Sequence, residues 1–276
     1  MKYKILSLIL TLVSQLSFTQ KLPEKISEKD FSIGKSIMLK SSILGENREL
    51  NIYLPLSYLT DISKTYPVIY LLDGSRDEDF IHISGIVQFG SFSWIDMVPE
   101  SIVVGIENVD RKRDFTYPSL NKLDQKEFPT SGGSKKFISF LESELQPYIN
   151  SNYRTATGKT LIGQSLGGLL ATEILFKKPE LFDNYIIVSP SLWWDDEKLL
   201  DIQPVAYNSN KSIYIAVGKE GEVMERTAKE LFDKLKMSQR ENTDLLYEFL
   251  EDKTHGDALH TAVYNAFEHV FRAEKE

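Results

Sequence analysis

Hydrophobic positions along the chain fall into two patterns that take turns. Short β-branched and aromatic runs occur at residues 48–54 (RELNIYL), 66–72 (YPVIYLL), 101–106 (SIVVGI), 160–162 (TLI), 184–189 (NYIIVS), 212–217 (SIYIAV) and 245–251 (LLYEFLE). Between the later ones, apolar residues recur three and four apart over 135–149, 166–178, 223–237 and 257–272, which predicts helices. Several strand runs are apolar without alternation, as expected of strands covered on both faces. Strand and helix in turn, with connections long enough for crossovers, predict an α/β fold: a mostly parallel central sheet with helices on both faces. The earliest strands are joined by short turns and are expected to be antiparallel.

The start of the chain breaks this pattern. Residues 1–20 (MKYKILSLILTLVSQLSFTQ) run from Lys2 and Lys4 through an apolar stretch to small residues at Ser17 and Thr19, the order of a secretory signal peptide. The expected organisation is therefore a signal peptide over 1–19, a polar linker over 20–30 and one catalytic domain over 31–276. Cleavage would move the formal charge from −8 to about −10, which disfavours nucleic acid and anionic lipid as partners. The apolar run is too short for a confident membrane span, and no membrane insertion is expected once the signal is removed. There are no cysteines, hence no disulfide framework, thiolate metal site or lipid-anchoring cysteine. An exported, cysteine-free protein suits a bacterial periplasm or the extracellular space. The sequence is silent on oligomeric state.

One segment carries candidate chemistry. In TLIGQSLGGLL (160–170), Ser165 stands in a Gly-x-Ser-x-Gly pattern that chance supplies in about one chain in fifteen of this size, so its context decides. A strand ending at Ile162 precedes it and a helix beginning near Leu166 follows, the strand-turn-helix setting of a nucleophile elbow. Glycines at 163 and 167 are expected to remove collisions with neighbouring backbone, and Gly168 to allow close helix-to-sheet approach. The turn aims the Leu166 N–H at the place where an oxyanion would form, beside a helix N-terminus that favours negative charge.

A serine nucleophile needs a base, and the chain has four histidines. His82 lies on an apolar helical stretch, where a core or packing role is expected. His260 and His269 lie inside the last helix. His255, in KTHGD after the last strand, projects from a loop at the carboxyl edge of the sheet, where open α/β sheets place their sites. The orienting acid should come from the loop after 212–217, which offers Glu220 and Glu222; Glu222 is preferred, being nearer the helix start with Gly221 to allow the turn. Either carboxylate could instead complement the helix N-terminus.

These residues resemble the esterase D-like α/β-hydrolases, and within them the bacterial branch that includes ferric enterobactin esterase-like siderophore hydrolases. The similarity rests on NIYLPLSY, YPVIYLLDG, VVGIENVDRKRDFTYP, GQSLGGL, SPSLWWDD and THGD, in that order. It implies an α/β-hydrolase fold and a second oxyanion N–H from Gly74 and Ser75, opposite Leu166. Gln164 stands where relatives often have histidine, and is expected to lie outside the chemistry.

Other residues bear on substrate. Two adjacent large aromatics can hardly both face the core, so at least one of Trp193 and Trp194 is expected to line the cleft. Arg111 could hold an anionic substrate group, while the preferred reading of Arg111, Arg113 and Asp114 is an internal ion pair such as Arg113–Asp114 that fixes the loop. The expectation is an exported serine esterase using Ser165, His255 and Glu222 on a small-molecule or oligosaccharide ester, with no cofactor or metal. Siderophore, acetyl- or feruloyl-carbohydrate and simple acyl esters all fit. The competing expectation is a non-catalytic ligand-binding module that keeps the hydrolase fold.

Overall fold

The computed structural model describes residues 22–238 and 241–271. The expected signal peptide lies outside them.

Eight strands form one sheet: β1 Lys35–Ser41, β2 Glu46–Tyr53, β3 Tyr66–Leu71, β4 Ile102–Ile106, β5 Thr155–Gln164, β6 Asn184–Val188, β7 Lys211–Gly218 and β8 Thr243–Leu250. Their order across the sheet is β1-β2-β4-β3-β5-β6-β7-β8. β1–β2 and β2–β4 pair antiparallel, and every pair from β4 to β8 is parallel, as the connection lengths predicted. β1 went unpredicted because it is an edge strand with mostly exposed side chains, so its sequence lacks a strong apolar signature.

The non-alternating strand sequences now have their explanation. Val68, Tyr70 and Leu72 enter one core layer while Ile69 and Leu71 enter the other, and β6 divides the same way, Tyr185 and Ile187 against Ile186 and Val188. The first layer is closed by the helices Leu166–Lys177 and Glu222–Met237 and by the helical run from Ser134 to Asn152, the second by Phe80–Gly90 and Ala258–Val270. The compact unit carrying this sheet runs Ile33–Glu276. Among the described residues, no helix is long and apolar enough to cross a membrane.

Two crossings are tight enough to need glycine. A Cβ on Gly74, just past β3, would stand 2.3 Å from the Gly105 Cα of β4. A Cβ on Gly168 would stand 2.9 Å from the Pro190 Cα, so the helix after β5 presses directly on the turn after β6. Both contacts bring the carboxyl ends of adjacent strands together, and that edge carries the site.

Candidate active site

β5 ends at Gln164, and the helix starts at Leu166 with only Ser165 between them. Ser165 has φ 59° and ψ −121°, a conformation costing on the order of 1–3 kcal/mol for a residue with a side chain. A Cβ at 163 would meet the Gly167 carbonyl oxygen at 2.4 Å, so glycine is required there. At Gly167 the expectation fails: a Cβ would meet side chains only, the Asp73 carboxylate at 3.4 Å and Leu72 at 3.5 Å, both ordinary contacts. The Ser165 hydroxyl lies 3.3 Å from the Ser191 hydroxyl, and the Ser191 N–H donates to the Ser165 carbonyl at 3.0 Å.

His255 is placed by the turn between β8 and the last helix. Its Nδ1 lies 2.5 Å from Glu220 Oε2. The Glu220 side chain is 2% exposed and that of His255 46%, so a dry carboxylate holds a ring that reaches towards solvent. Burial by itself would push the Glu220 carboxyl up; hydrogen bonds from His255, Ser189 and the Gly218 N–H outweigh it and hold the group below the ordinary carboxylate range. Ionised, Glu220 can only accept, so His255 Nδ1 donates to it, and in the neutral imidazole Nε2 is then the nitrogen that keeps a lone pair. Gln164, adjacent to Ser165, donates its side-chain amide to the His255 carbonyl at 2.6 Å and so ties the serine turn to the histidine loop.

The carboxylate set against His255 is Glu220, not the expected Glu222. Glu222 is exposed in the first turn of the helix Glu222–Met237, beyond Gly221 at φ 94°, whereas Glu220 lies before that turn and faces the sheet edge. The carboxylate that serves the helix start is Glu225, which accepts from the N–H groups of both Glu220 and Gly221 at 2.9 Å. Glu225 stands four residues after the N-cap glycine, outside the ordinary capping-box spacing, so no local signal in the sequence separates Glu220 from Glu222.

The oxyanion side also needs correction. The Gly74 N–H donates to the Ile106 carbonyl at 3.0 Å and is spent. Gly74 contributes its small size, while Ser75 follows it half-buried on the same loop. Leu166 opens its helix, where the first N–H groups have no intrahelical partner.

The Arg111 guanidinium is engaged by the protein itself. It makes a bidentate pair with Asp73, at 2.6 and 2.8 Å, and reaches the Gln164 carbonyl at 3.3 Å; Asn108 completes the Asp73 carboxylate at 2.6 Å. Asp73 has φ 55°, so this network fixes a strained turn just before Ser75 and links it to the serine turn. The Arg113–Asp114 pair is present at 2.8 Å, extended by the fully buried Arg48 and by Glu46 into a four-residue brace under the loop after β4. Arg48 carries no signal of this role in sequence, because arginine in a strand near the sheet edge is ordinarily exposed.

Of the two tryptophans, Trp194 belongs to the core: it is 0% exposed, and its indole N–H donates to the Tyr117 carbonyl at 2.9 Å. Trp193 is half-buried beside Phe128, ring centres 5.9 Å apart. The loop beyond them carries three successive positive-φ residues, Asp195, Asp196 and Glu197, and is stitched to residues 119–124. Asp195 accepts from Ser119 and the Leu120 N–H, and Asp124 accepts from the Asp195 N–H.

The remaining histidines lie in other settings. His82 is exposed rather than in the core, its ring centre 3.9 Å from that of His260 and tilted by 38°, and His269 pairs with Asp244 at 2.9 Å. A polar cavity of about 640 Å³ lined by residues such as Asp183, Lys211 and Asp244 opens at the amino edge of β5–β8. Cavity size would favour it, and its lining sets Lys211 Nζ 3.0 Å from the Ser209 hydroxyl, but that hydroxyl donates to Glu180 and Lys211 Nζ also donates to the Phe182 carbonyl, so the candidate site is placed at the carboxyl edge, where a histidine–carboxylate pair stands near a strained serine turn. Among the described residues, no group of histidine and acidic side chains could hold a metal.

A family model described as "Putative esterase" matches residues 41–275. The curated ferri-bacillibactin esterase BesA of Bacillus subtilis is 33% identical over 179 residues, 60% of this chain and 62% of that protein. The chain spans about six tenths of the length of the first such relatives it matches. Among solved structures, an IroE-like serine hydrolase from Shewanella oneidensis aligns at TM-score 0.76 and 29% identity, over 87% of this chain and 80% of that one. The BES protein from Bacillus cereus aligns at 0.75 and 26%, over 90% and 98%. The sheet is that of an α/β-hydrolase.

Proposed function

The chain belongs to that esterase family, and from this premise we propose that it is a serine hydrolase of carboxylic esters acting through Ser165, His255 and Glu220. The observation that carries the reading is the His255–Glu220 pair at 2.5 Å, tied through Gln164 to the turn that strains Ser165. Ser165 rests on Ser191 rather than on His255, and catalytic hydrogen bonds of this kind tighten when substrate arrives.

In the reaction, His255 Nε2 takes the Ser165 proton as the oxygen attacks the ester carbonyl. Glu220 holds the imidazole in the Nδ1–H tautomer and stabilises the imidazolium that forms. The negative oxygen is met by the Leu166 N–H at the helix start and by the Ser75 N–H across the cleft. His255 then gives its proton to the leaving alcohol, and water activated by the same nitrogen releases the acid from the acyl-enzyme.

For substrate, the relative from Bacillus subtilis is named for a ferric siderophore ester. By topology, Val109, Leu120, Leu123 and Val223 follow carboxyl ends of strands; all are exposed, and Trp193 lies on the same edge. An apolar, aromatic rim suits a small-molecule ester with a ring-bearing acyl group, siderophore or feruloyl, over a plain acetyl ester. The pattern of residues 1–20 supports export.

The test is labelling by a fluorophosphonate and hydrolysis of p-nitrophenyl acetate, both expected in the protein and both absent in Ser165→Ala. Equal rates in the two proteins would leave the non-catalytic binding module as the reading. A panel of siderophore, feruloyl and acetyl esters then ranks substrates by kcat/KM. Amino-terminal sequencing of the exported protein checks removal of residues 1–19.

A further inference from the structure

The three residues after β6, Ser189-Pro190-Ser191, touch both ends of the proposed catalytic chain. Ser191 meets Ser165, as described above. Ser189 is fully buried and has φ 45°. Its N–H donates to the Ala216 carbonyl at 2.7 Å, and its hydroxyl donates to Glu220 Oε1 at 2.5 Å. The same carboxylate oxygen accepts the Gly218 N–H at 2.9 Å. Oε1 is therefore filled by two donors, and Oε2 alone faces His255.

Two features separate this serine from ordinary packing. A left-handed backbone is cheapest for glycine, and nothing about the Ser189 backbone requires a side chain. The hydroxyl has one acceptor, and that acceptor is the carboxylate that orients the proposed base. The segment is also held from below, since Pro190 packs against the helix at Gly168. A donor mounted there keeps its place relative to the serine turn.

We propose that Ser189 is a positioning residue for the reaction: its hydroxyl fixes the Glu220 carboxylate so that Oε2 meets His255 Nδ1, and through that contact it sets the imidazole that serves Ser165. Ser189 touches neither substrate nor the reacting atoms, and acts only through Glu220. The inference rests on the reading of Ser165, His255 and Glu220 given above.

The experiment compares wild type, Ser165→Ala, Ser189→Ala, Ser189→Gly, Glu220→Gln and the double variant Ser189→Ala/Glu220→Gln, by steady-state hydrolysis of p-nitrophenyl acetate and by thermal melting. Both Ser189 variants are expected to lose about ten- to a hundredfold in kcat with KM within about twofold of wild type. Ser189→Gly should melt above Ser189→Ala because glycine relieves the backbone, so a loss shared by both cannot be a folding defect. The double variant should be no slower than Glu220→Gln alone, since the amide no longer offers His255 Nδ1 the acceptor oxygen that Ser189 sets in place. A Ser189→Gly kcat within about twofold of wild type, or losses that multiply in the double variant, overturns the proposal. If Ser165→Ala is as active as wild type, it is the reading of the site that fails; if Ser165→Ala is inactive and only the Ser189 results miss, the positioning role alone falls.

Discussion

The side-chain amide of Gln164 donates to the main-chain carbonyl of His255 at 2.6 Å. The residue preceding the proposed nucleophile therefore holds the loop of the proposed base, although in sequence it is expected to lie outside the chemistry. Gln164→Ala should lower kcat by about three- to tenfold, the worth of one neutral hydrogen bond, with little change in melting temperature because the contact is exposed. Kinetics and a melting curve on the same preparation check this, and an unchanged kcat would remove the link.

Glu220→Gln and Glu222→Gln should divide sharply. Glu220→Gln replaces the acceptor that fixes the His255 tautomer, and kcat should fall by about 10²–10⁴. Glu222→Gln touches an exposed carboxylate at a helix start and should stay within about twofold of wild type. Equal losses in the two would contradict the geometry.

The two tryptophans should separate into stability and substrate effects. Trp194→Ala empties a fully buried site and should cost about 3–5 kcal/mol in chemical denaturation. Trp193→Ala should cost less stability and instead raise KM for aromatic esters more than for acetyl esters.

Arg111→Ala would leave the Asp73 carboxylate with Asn108 as its one remaining side-chain donor, beside a strained turn. Because the Arg111 side chain is 33% exposed, solvent screens part of the loss, and about 1–3 kcal/mol is expected. Arg111→Lys keeps the charge but not the bidentate geometry, and should recover only part of it.

Glu220 also predicts a pH dependence of stability. Its folded value lies below the ordinary value of 4.5, so the unfolded chain binds the extra proton first. The stabilisation is present above about pH 4.5 and is lost as pH falls through the lower folded value. Urea midpoints between about pH 3 and 6 should fall more steeply with acidification in wild type than in Glu220→Gln.

Much of this architecture was legible in the order of residues. Alternating strand and helix patterns gave the mixed sheet, because burial on one or both faces writes a period that local sequence displays. The strand-to-helix turn that carries Ser165 was legible because its sharpness demands glycine at 163 and closeness demands it at 168. The loop placement of His255 was legible by elimination, as the one histidine after the last strand and before the last helix.

Which neighbour each polar side chain chooses was settled by the tertiary structure. Glu220 and Glu222 are two residues apart and chemically identical; a single positive-φ glycine between them sends one to a dry sheet edge and the other to solvent. The Gly74 N–H, the Arg111 guanidinium and the Gln164 amide each had several partners open to them in sequence. Their partners lie 32, 38 and 91 residues away along the chain, at Ile106, Asp73 and His255. Periodicity reports which face of an element is buried, a local property, whereas a hydrogen bond of about 3 Å depends on where folding sets two distant turns against each other.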